Sequence, residues 1–166
     1  MNLVDEIARI RARFLAEAPE FYTGSAPETL LGRLPCNFGL GDGLDQEQFI
    51  ARVRDEHAVF VAEYEDEGPV WSPEEVVLKF ARVLVLYTVR LPQTDETRFG
   101  MADLRAADGH GFTAGELLWA LYQATAVDVR AGPHREFEGL ELVYAFDAVV
   151  AGLPVWVPVY RMHLGS

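Results

Sequence analysis

The chain has 166 residues, of which 50% are hydrophobic and 24% are charged, and it carries a net charge of −12. This composition excludes fibrous and low-complexity proteins and is typical of one globular domain spanning residues 1–166. Nucleic-acid affinity depends on basic side chains that neutralise phosphates, so 14 basic residues against 26 acidic ones argue against a nucleic-acid partner. The same sign argues against an anionic membrane surface.

The cysteine content and the N-terminus indicate a cytoplasmic protein. The single cysteine, Cys36, cannot form an internal disulfide, which fits a reducing compartment. No apolar stretch approaches the roughly 20 residues that a membrane-spanning helix needs. Asp5 and Glu6 precede any apolar block, which is unlike a signal peptide. Lys79 is the only lysine among the 14 basic residues, a bias typical of GC-rich bacterial genomes.

The first predicted helix lies near the N-terminus. Leu3, Ile7, Ile10 and Phe14 repeat with helical spacing, and Pro19 ends the pattern. Prolines and glycines then interrupt every regular period, so residues 19–44 are predicted to be a long irregular connection.

The second predicted helix begins at a capping box. Asp45 is the expected N-cap and Gln48 its reciprocal partner, while Leu44 and Phe49 occupy the two positions of a hydrophobic staple. The acidic segment that ends in Gly68 and Pro69 is expected to end this helix.

Residues 71–91 combine a helix-start pattern with many β-branched residues. We expect a short helical turn at 73–76 that runs into a long buried strand at 78–91, which Pro92 stops. A helix over 73–88 is the alternative, because Ser72 and Glu75 also resemble a capping box.

A polar loop is predicted over residues 92–111, followed by the third helix. Thr113 is its expected N-cap, Glu116 its reciprocal partner, and Phe112 staples to Leu117. Few polar positions follow, so we expect this helix to be central and largely buried.

Two strands are predicted at the end of the chain, over 137–146 and 155–164, and Pro158 suggests an edge position for the second. A hairpin whose paired residue numbers sum to about 300 would place Leu140 opposite Tyr160. The even-numbered side chains of both strands would then point into the core. The expected fold is therefore α+β, with about three helices packed on a small, mainly antiparallel sheet and a C-terminal hairpin.

The sequence supports neither a cysteine nucleophile nor a metal site. Cys36 matches no nucleophile motif, and a buried, inert thiol is its expected state. His134, Glu136 and His163 could meet at the hairpin, but the predicted register points Glu136 and His163 to opposite faces. We therefore expect no catalytic residue, no metal and no cofactor.

Two features remain as candidates for function. The first is an acidic block without a basic residue, which is either a solvated face or a docking surface for a basic protein. It consists of Glu63, Glu65, Asp66, Glu67, Glu74 and Glu75. The second is a pocket beneath the 19–44 connection. Its expected lining is Tyr22, Phe38, Trp119 and Tyr122.

These features support two hypotheses of different classes. The preferred one is a non-enzymatic protein that binds a basic protein partner, as an antidote, adaptor or regulatory protein. The alternative is a small enzyme or a small-molecule-binding domain that uses the pocket under the 19–44 connection.

Overall fold

The computed structural model describes residues 26–32, 34, 36–39, 43–64, 71–150 and 153–165. The first predicted helix lies outside these residues. Within them are two helices and eight strands, a mixed α and β architecture. The helices are α1 (Gln46–Tyr64) and α2 (Ala114–Ala131). The strands are β1 (Thr29–Leu30), β2 (Cys36–Asn37), β3 (Val76–Leu78), β4 (Arg82–Arg90), β5 (Thr97–Arg105), β6 (Phe112–Thr113), β7 (Glu136–Val150) and β8 (Leu153–Gly165).

Six of the strands form the main sheet, in the order β1-β7-β8-β4-β5, with β2 also pairing to β7. Every pairing in it is antiparallel except β4 with β8, which run parallel. The strands β3 and β6 form a separate antiparallel pair. The mainly antiparallel sheet and the C-terminal hairpin are thus confirmed.

Both helix starts follow the capping chemistry that the sequence predicts. At α1, the Gln48 amide donates to the Asp45 carboxylate over 2.8 Å, and the Asp45 amide donates to the Gln48 side chain over 3.0 Å. At α2, the Thr113 amide donates to Glu116 and the Glu116 amide donates to the Thr113 hydroxyl, over 3.0 and 3.2 Å. These bonds satisfy amides that a helix start otherwise leaves without partners.

The core lies between the two helices and one face of the main sheet. Its helical side includes Phe49 and Val53 of α1 and Leu117, Leu118 and Leu121 of α2, all fully buried. The odd-numbered side chains of β4 supply the facing layer of the sheet: Val83, Val85, Tyr87 and Val89. Helix α2 is central as predicted, although Val127 on its outer side is 76% exposed.

Three predicted elements need correction. Residues 92–111 are not a loop, because β5 occupies Thr97–Arg105 and pairs with β4 over its full length. The 19–44 connection contains β1 and β2, both paired to β7. The strand predicted at 78–91, in place of the alternative helix over 73–88, is confirmed as β4 at Arg82–Arg90, but Val76–Leu78 forms the separate strand β3 and the residues before it form a turn.

The position of β8 also differs from the prediction. It lies between β7 and β4, so the edge position inferred from Pro158 is wrong. Pairing with β4 begins at Val159, so the amide that proline lacks lies outside that ladder. The observed hairpin pairs Leu140 with Met162 and Leu142 with Tyr160, two residues away from the predicted register. Leu140, Tyr160 and Met162 are nevertheless all buried, as the shared parity predicts.

We predict that Thr113→Ala lowers the free energy of unfolding by about 1 kcal/mol, because the Glu116 amide loses its acceptor at the start of a buried helix. Urea denaturation measures the change. Thr113→Ser keeps the hydroxyl and should stay close to the wild-type stability. Equal losses for the two variants would contradict a capping role for this hydroxyl.

A second stability prediction concerns Gly100 of β5, which pairs with Tyr87 of β4. A Cβ atom at Gly100 would overlap the Tyr87 ring, whose hydroxyl donates to Asp128 of α2 over 2.7 Å. Gly100→Ala should therefore lower the free energy of unfolding by about 1–3 kcal/mol. Gly32→Ala is the control, because no atom lies within 4 Å of the added Cβ. A stable Gly100→Ala variant would mean that the ring can move without loss.

Candidate functional site

An open groove of about 690 Å³ lies where the starts of both helices meet the turn before β3. Its lining is Gln46, Glu47, Ile50, Ala51, Arg54, Pro73, Glu74, Thr113, Gly115 and Glu116. The groove is thus built from the first nine residues of α1 and the first turn of α2, and the sequence predicts the capping of both helices clearly.

Backbone hydrogen bonds attach the turn before β3 to the start of α2. The Gly115 amide donates to the Pro73 carbonyl over 2.9 Å, and the Ala114 amide donates to the Glu75 carbonyl over 2.8 Å. Gly115 favours this close approach, because a Cβ there would lie 3.0 Å from the Pro73 Cβ and 3.1 Å from its carbonyl oxygen, which is a tight contact. The floor of the groove is therefore a fixed contact between a turn and a helix start.

These same bonds decide which charge the groove can accept. The first amides of a helix usually attract anions. Here the amides of Ala114, Gly115 and Glu116 already donate to oxygens within the chain. The start of α2 therefore offers no set of unsatisfied amides to a phosphate or carboxylate.

Carboxylates dominate the charge of the groove. Its lining contains Glu47, Glu74 and Glu116 against one guanidinium, that of Arg54, so three negative charges and one positive charge leave −2. Arg54 donates to Glu74 over 2.9 Å, and their side chains are 53% and 74% exposed. Glu116 is held by the Thr113 amide. An exposed ion pair of this kind is weak and exchanges readily for another cation.

The acidic block of the sequence is divided in the structure. Glu74 lines the groove, and the exposed Glu75 follows it directly. Glu63 is exposed near the end of α1, nine residues beyond Arg54 and thus roughly 14 Å further along that helix. The remaining members, Glu65, Asp66 and Glu67, lie outside the described residues.

The residues predicted to line a pocket lie together, as part of an aromatic cluster. Phe38 and Tyr122 are buried and meet edge to face with ring centroids 5.8 Å apart, and Trp119 stacks on Tyr122 at 5.7 Å. Phe49 stacks on Tyr122 at 4.6 Å. The rings thus contact one another, which is how aromatic side chains stabilise a core. Tyr22 lies outside the described residues, so a ligand site here stays a prediction.

Cys36 is fully buried beside two carboxylates. Burial, followed by the negative charges of Glu56 and Glu136, raises the pKa of its thiol far above the ordinary value. Burial also raises the pKa of Glu56, although the Asn37 amide donates to its carboxylate and opposes this shift. The thiolate, which is the reactive form of cysteine, is therefore strongly disfavoured.

The histidines of the hairpin take other partners. His163 lies 3.0 Å from Glu141, a half-exposed pair on the outer face, and His134 is exposed. Among the residues that the structure describes, no three histidine, cysteine or acidic side chains are placed to hold a metal ion. In that same part of the chain, neither helix has the length and apolar character needed to cross a membrane.

Sequence reasoning missed most of the groove, including Ile50, Arg54, Pro73 and Gly115. The available signal was the helix-start pattern, which occurs at residues 45, 72 and 113. Two of these patterns begin helices and the third forms the turn between them, yet only the fold shows that the three meet. Comparison of the chain with protein-family models, curated proteins and solved structures finds no match.

We predict that Cys36 reacts with a thiol reagent at pH 8 more than about a hundredfold more slowly in the folded protein than in urea, because burial disfavours the thiolate and blocks access. Absorbance of the released thiol dye follows the reaction. A Cys36→Ala variant that also carries Thr88→Cys, at an exposed position of β4, is the control and should react at once. Rapid labelling of native Cys36 would contradict its inert state.

Proposed function

We propose that the protein is a non-enzymatic binding module of the bacterial cytoplasm, of antidote, adaptor or regulatory type, and that its groove docks a basic segment of a partner protein. The observation that carries this proposal is the charge of the groove, whose lining contains three carboxylates and one guanidinium. The net charge of −12 adds a long-range attraction for basic partners.

The groove has the shape and exposure that suit an extended or helical segment rather than a small enclosed ligand. It is open along the exposed side of α1, where Glu47 and Arg54 lie two helical turns apart. Ile50 and Ala51 lie between them and supply apolar contact. An arginine of the partner can compete with Arg54 for Glu74, because that ion pair is exposed on both sides.

The chemistry of the neighbouring groups supports binding over catalysis. Glu116 accepts the Thr113 amide at the helix start, and the amides beside it already have acceptors. The alternative proposal, a small enzyme or a small-molecule-binding domain, gains no support from Phe38, Trp119 and Tyr122, because their rings contact other rings.

A basic peptide tests the proposal. Glu47→Gln combined with Glu74→Gln should weaken binding of a short arginine- and alanine-containing peptide about fivefold at low salt, because two exposed pairs each contribute about 0.5 kcal/mol. Fluorescence anisotropy measures the affinity, and the difference should fade at an ionic strength of about 0.5 M. Amide shifts of Ile50 and Gly115 on addition of the peptide should locate the binding to the groove.

The matched control is Glu28→Gln combined with Glu138→Gln, which changes the net charge by the same amount at exposed positions outside the groove. This control should bind the peptide nearly as tightly as the wild type. If both double variants lose the same affinity, the peptide responds only to the overall charge, and the groove is not the docking site.

A further inference from the structure

The last strand of the main sheet, β5, presents a long exposed edge. It pairs with β4 on one side, and none of the other described strands pairs with it. At the opposite end of the sheet, β1 and β2 are only two residues long, whereas β5 spans nine. A long strand with an open edge is a template for pairing with another chain.

The hydrogen-bond pattern shows which backbone groups face outward from β5. The Leu91 amide donates to Glu96 and the Ala106 amide donates to Ala81, both over 2.8 Å, at the two ends of a ladder without register shifts. Bonded and non-bonded pairs alternate between these ends in an antiparallel ladder. The outward-facing amides and carbonyls of β5 therefore belong to its odd-numbered residues, namely Thr97, Phe99, Met101, Asp103 and Arg105.

Two exposed apolar side chains lie on one face of this edge strand. Phe99 and Met101 of β5 are 55% and 41% exposed, and they pair with Thr88 and Leu86, so both lie on the face of the sheet away from α2. They are two of the five large exposed apolar side chains that the structure describes. Their position on one face of one strand indicates an interaction surface rather than scattered surface residues.

The charges that usually protect an edge strand are held within the chain. Asp103 receives two hydrogen bonds from Arg82 of β4, over 2.7 and 2.8 Å. Arg98 lies 3.6 Å from Asp128 of α2. These charges are therefore directed back over the sheet and do not block a strand that approaches β5 from outside.

We propose that β5 pairs antiparallel with β5 of a second copy of this chain, so that the two sheets become continuous. The outward-facing backbone groups pair with each other when odd-numbered residues lie opposite odd-numbered residues, so the numbers of paired residues must have an even sum. A sum of 200 places Phe99 opposite Met101 of the partner subunit and Gly100 on the two-fold axis. A sum of 202 would instead place Phe99 opposite a carboxylate, that of the partner subunit's Asp103. Only the sum of 200 places both Phe99 and Met101 opposite an apolar side chain of the partner subunit.

Dimerisation and partner binding should respond to salt in opposite directions. Two copies that each carry a charge of −12 repel one another, so salt should strengthen the dimer by screening this repulsion. The groove attracts a basic segment, so salt should weaken that complex. This contrast separates the failure of one proposal from the failure of the other.

Sedimentation velocity over a range of concentrations tests the dimer. The wild type should form a concentration-dependent dimer, whereas Phe99→Lys and Met101→Lys should each remain monomeric at concentrations where the wild type associates. Both variants should keep the wild-type circular dichroism spectrum, because the two side chains are exposed in the monomer. Both should also keep their affinity for the basic peptide, because neither residue lines the groove.

The matched control is Val59→Lys, which introduces the same charge at a 65% exposed apolar position on α1. This variant should dimerise like the wild type. A wild type that stays monomeric at every concentration and salt level would overturn the proposal. Dimers that Val59→Lys disrupts as strongly as Phe99→Lys does would also overturn it.

Disulfide cross-linking tests the register. A mixture of Phe99→Cys and Met101→Cys chains should form the mixed disulfide in preference to either symmetric one, because paired Cα atoms in a bonded position lie about 5.5 Å apart. Cys36 is buried and does not compete. Preferential cross-linking of Met101→Cys to itself would indicate the register that sums to 202 and contradict the one proposed.

Discussion

The pairing of β8 on both of its edges is the constraint on which the rest of this fold depends. Its parallel contact with β4 joins Leu84–Leu86 to Val159–Arg161, residues about 75 positions apart in the chain. This contact joins the β4–β5 hairpin and the β7–β8 hairpin into one sheet, and α2 lies between them in sequence. Tyr160 is fully buried and its hydroxyl donates to the Pro27 carbonyl over 2.7 Å. The strand thus also fixes the segment that precedes β1.

Both proposed surfaces follow from this arrangement. Once α2 packs on the sheet, its start meets α1 and the turn at Pro73, which creates the acidic groove. The other consequence is that β5 becomes the last strand of the main sheet, and its own side chains Phe99 and Met101 are exposed. The groove attracts through charge, whereas the edge offers backbone groups and apolar side chains. A dimer built on the edge would therefore leave both grooves open to a partner.

Local chemistry in the sequence predicted the helix starts well. The capping boxes at Asp45 and Thr113 depend only on residues three apart, so no knowledge of the fold is needed to find them. The interior of α2 was equally readable from its density of apolar residues. Helix α2 still exposes Val127, because only one side of the helix faces the sheet.

Features that depend on distant contacts were harder to predict. Strand β5 was missed because only Ala102 and Leu104 are buried within it, while Phe99 faces outward. The hairpin register was wrong because the strands extend further towards their connection than predicted, to the pair Val150 with Leu153, whose numbers sum to 303. The shifts between Leu142 and Tyr144 and between Phe137 and Gly139 lower this sum to 302 and then to 301. Gly139, which has a φ of 124°, lies at the shift next to Phe137, and a glycine inside a predicted strand is a sequence signal of such a bulge.

The same limit applies to the candidate site. The charge of its segment made Glu74 a candidate for partner binding, but its ion pair with Arg54 joins residues 20 positions apart and could not be predicted. Phe38 and Tyr122 were both predicted to line a pocket, and their rings meet edge to face in the core. Their mutual packing could not be inferred, since ring contacts are decided by the shape of the whole core.

Native-state hydrogen exchange tests most directly whether β8 holds the two hairpins in one cooperative unit. The amides of the β4–β8 and β7–β8 ladders should exchange most slowly, with a common opening free energy equal to that of global unfolding measured by denaturation. Mildly destabilising concentrations of urea should release them together. Exchange of the β4 and β5 amides through a separate, lower-energy opening, while β7 and β8 stay protected, would contradict the central role of β8.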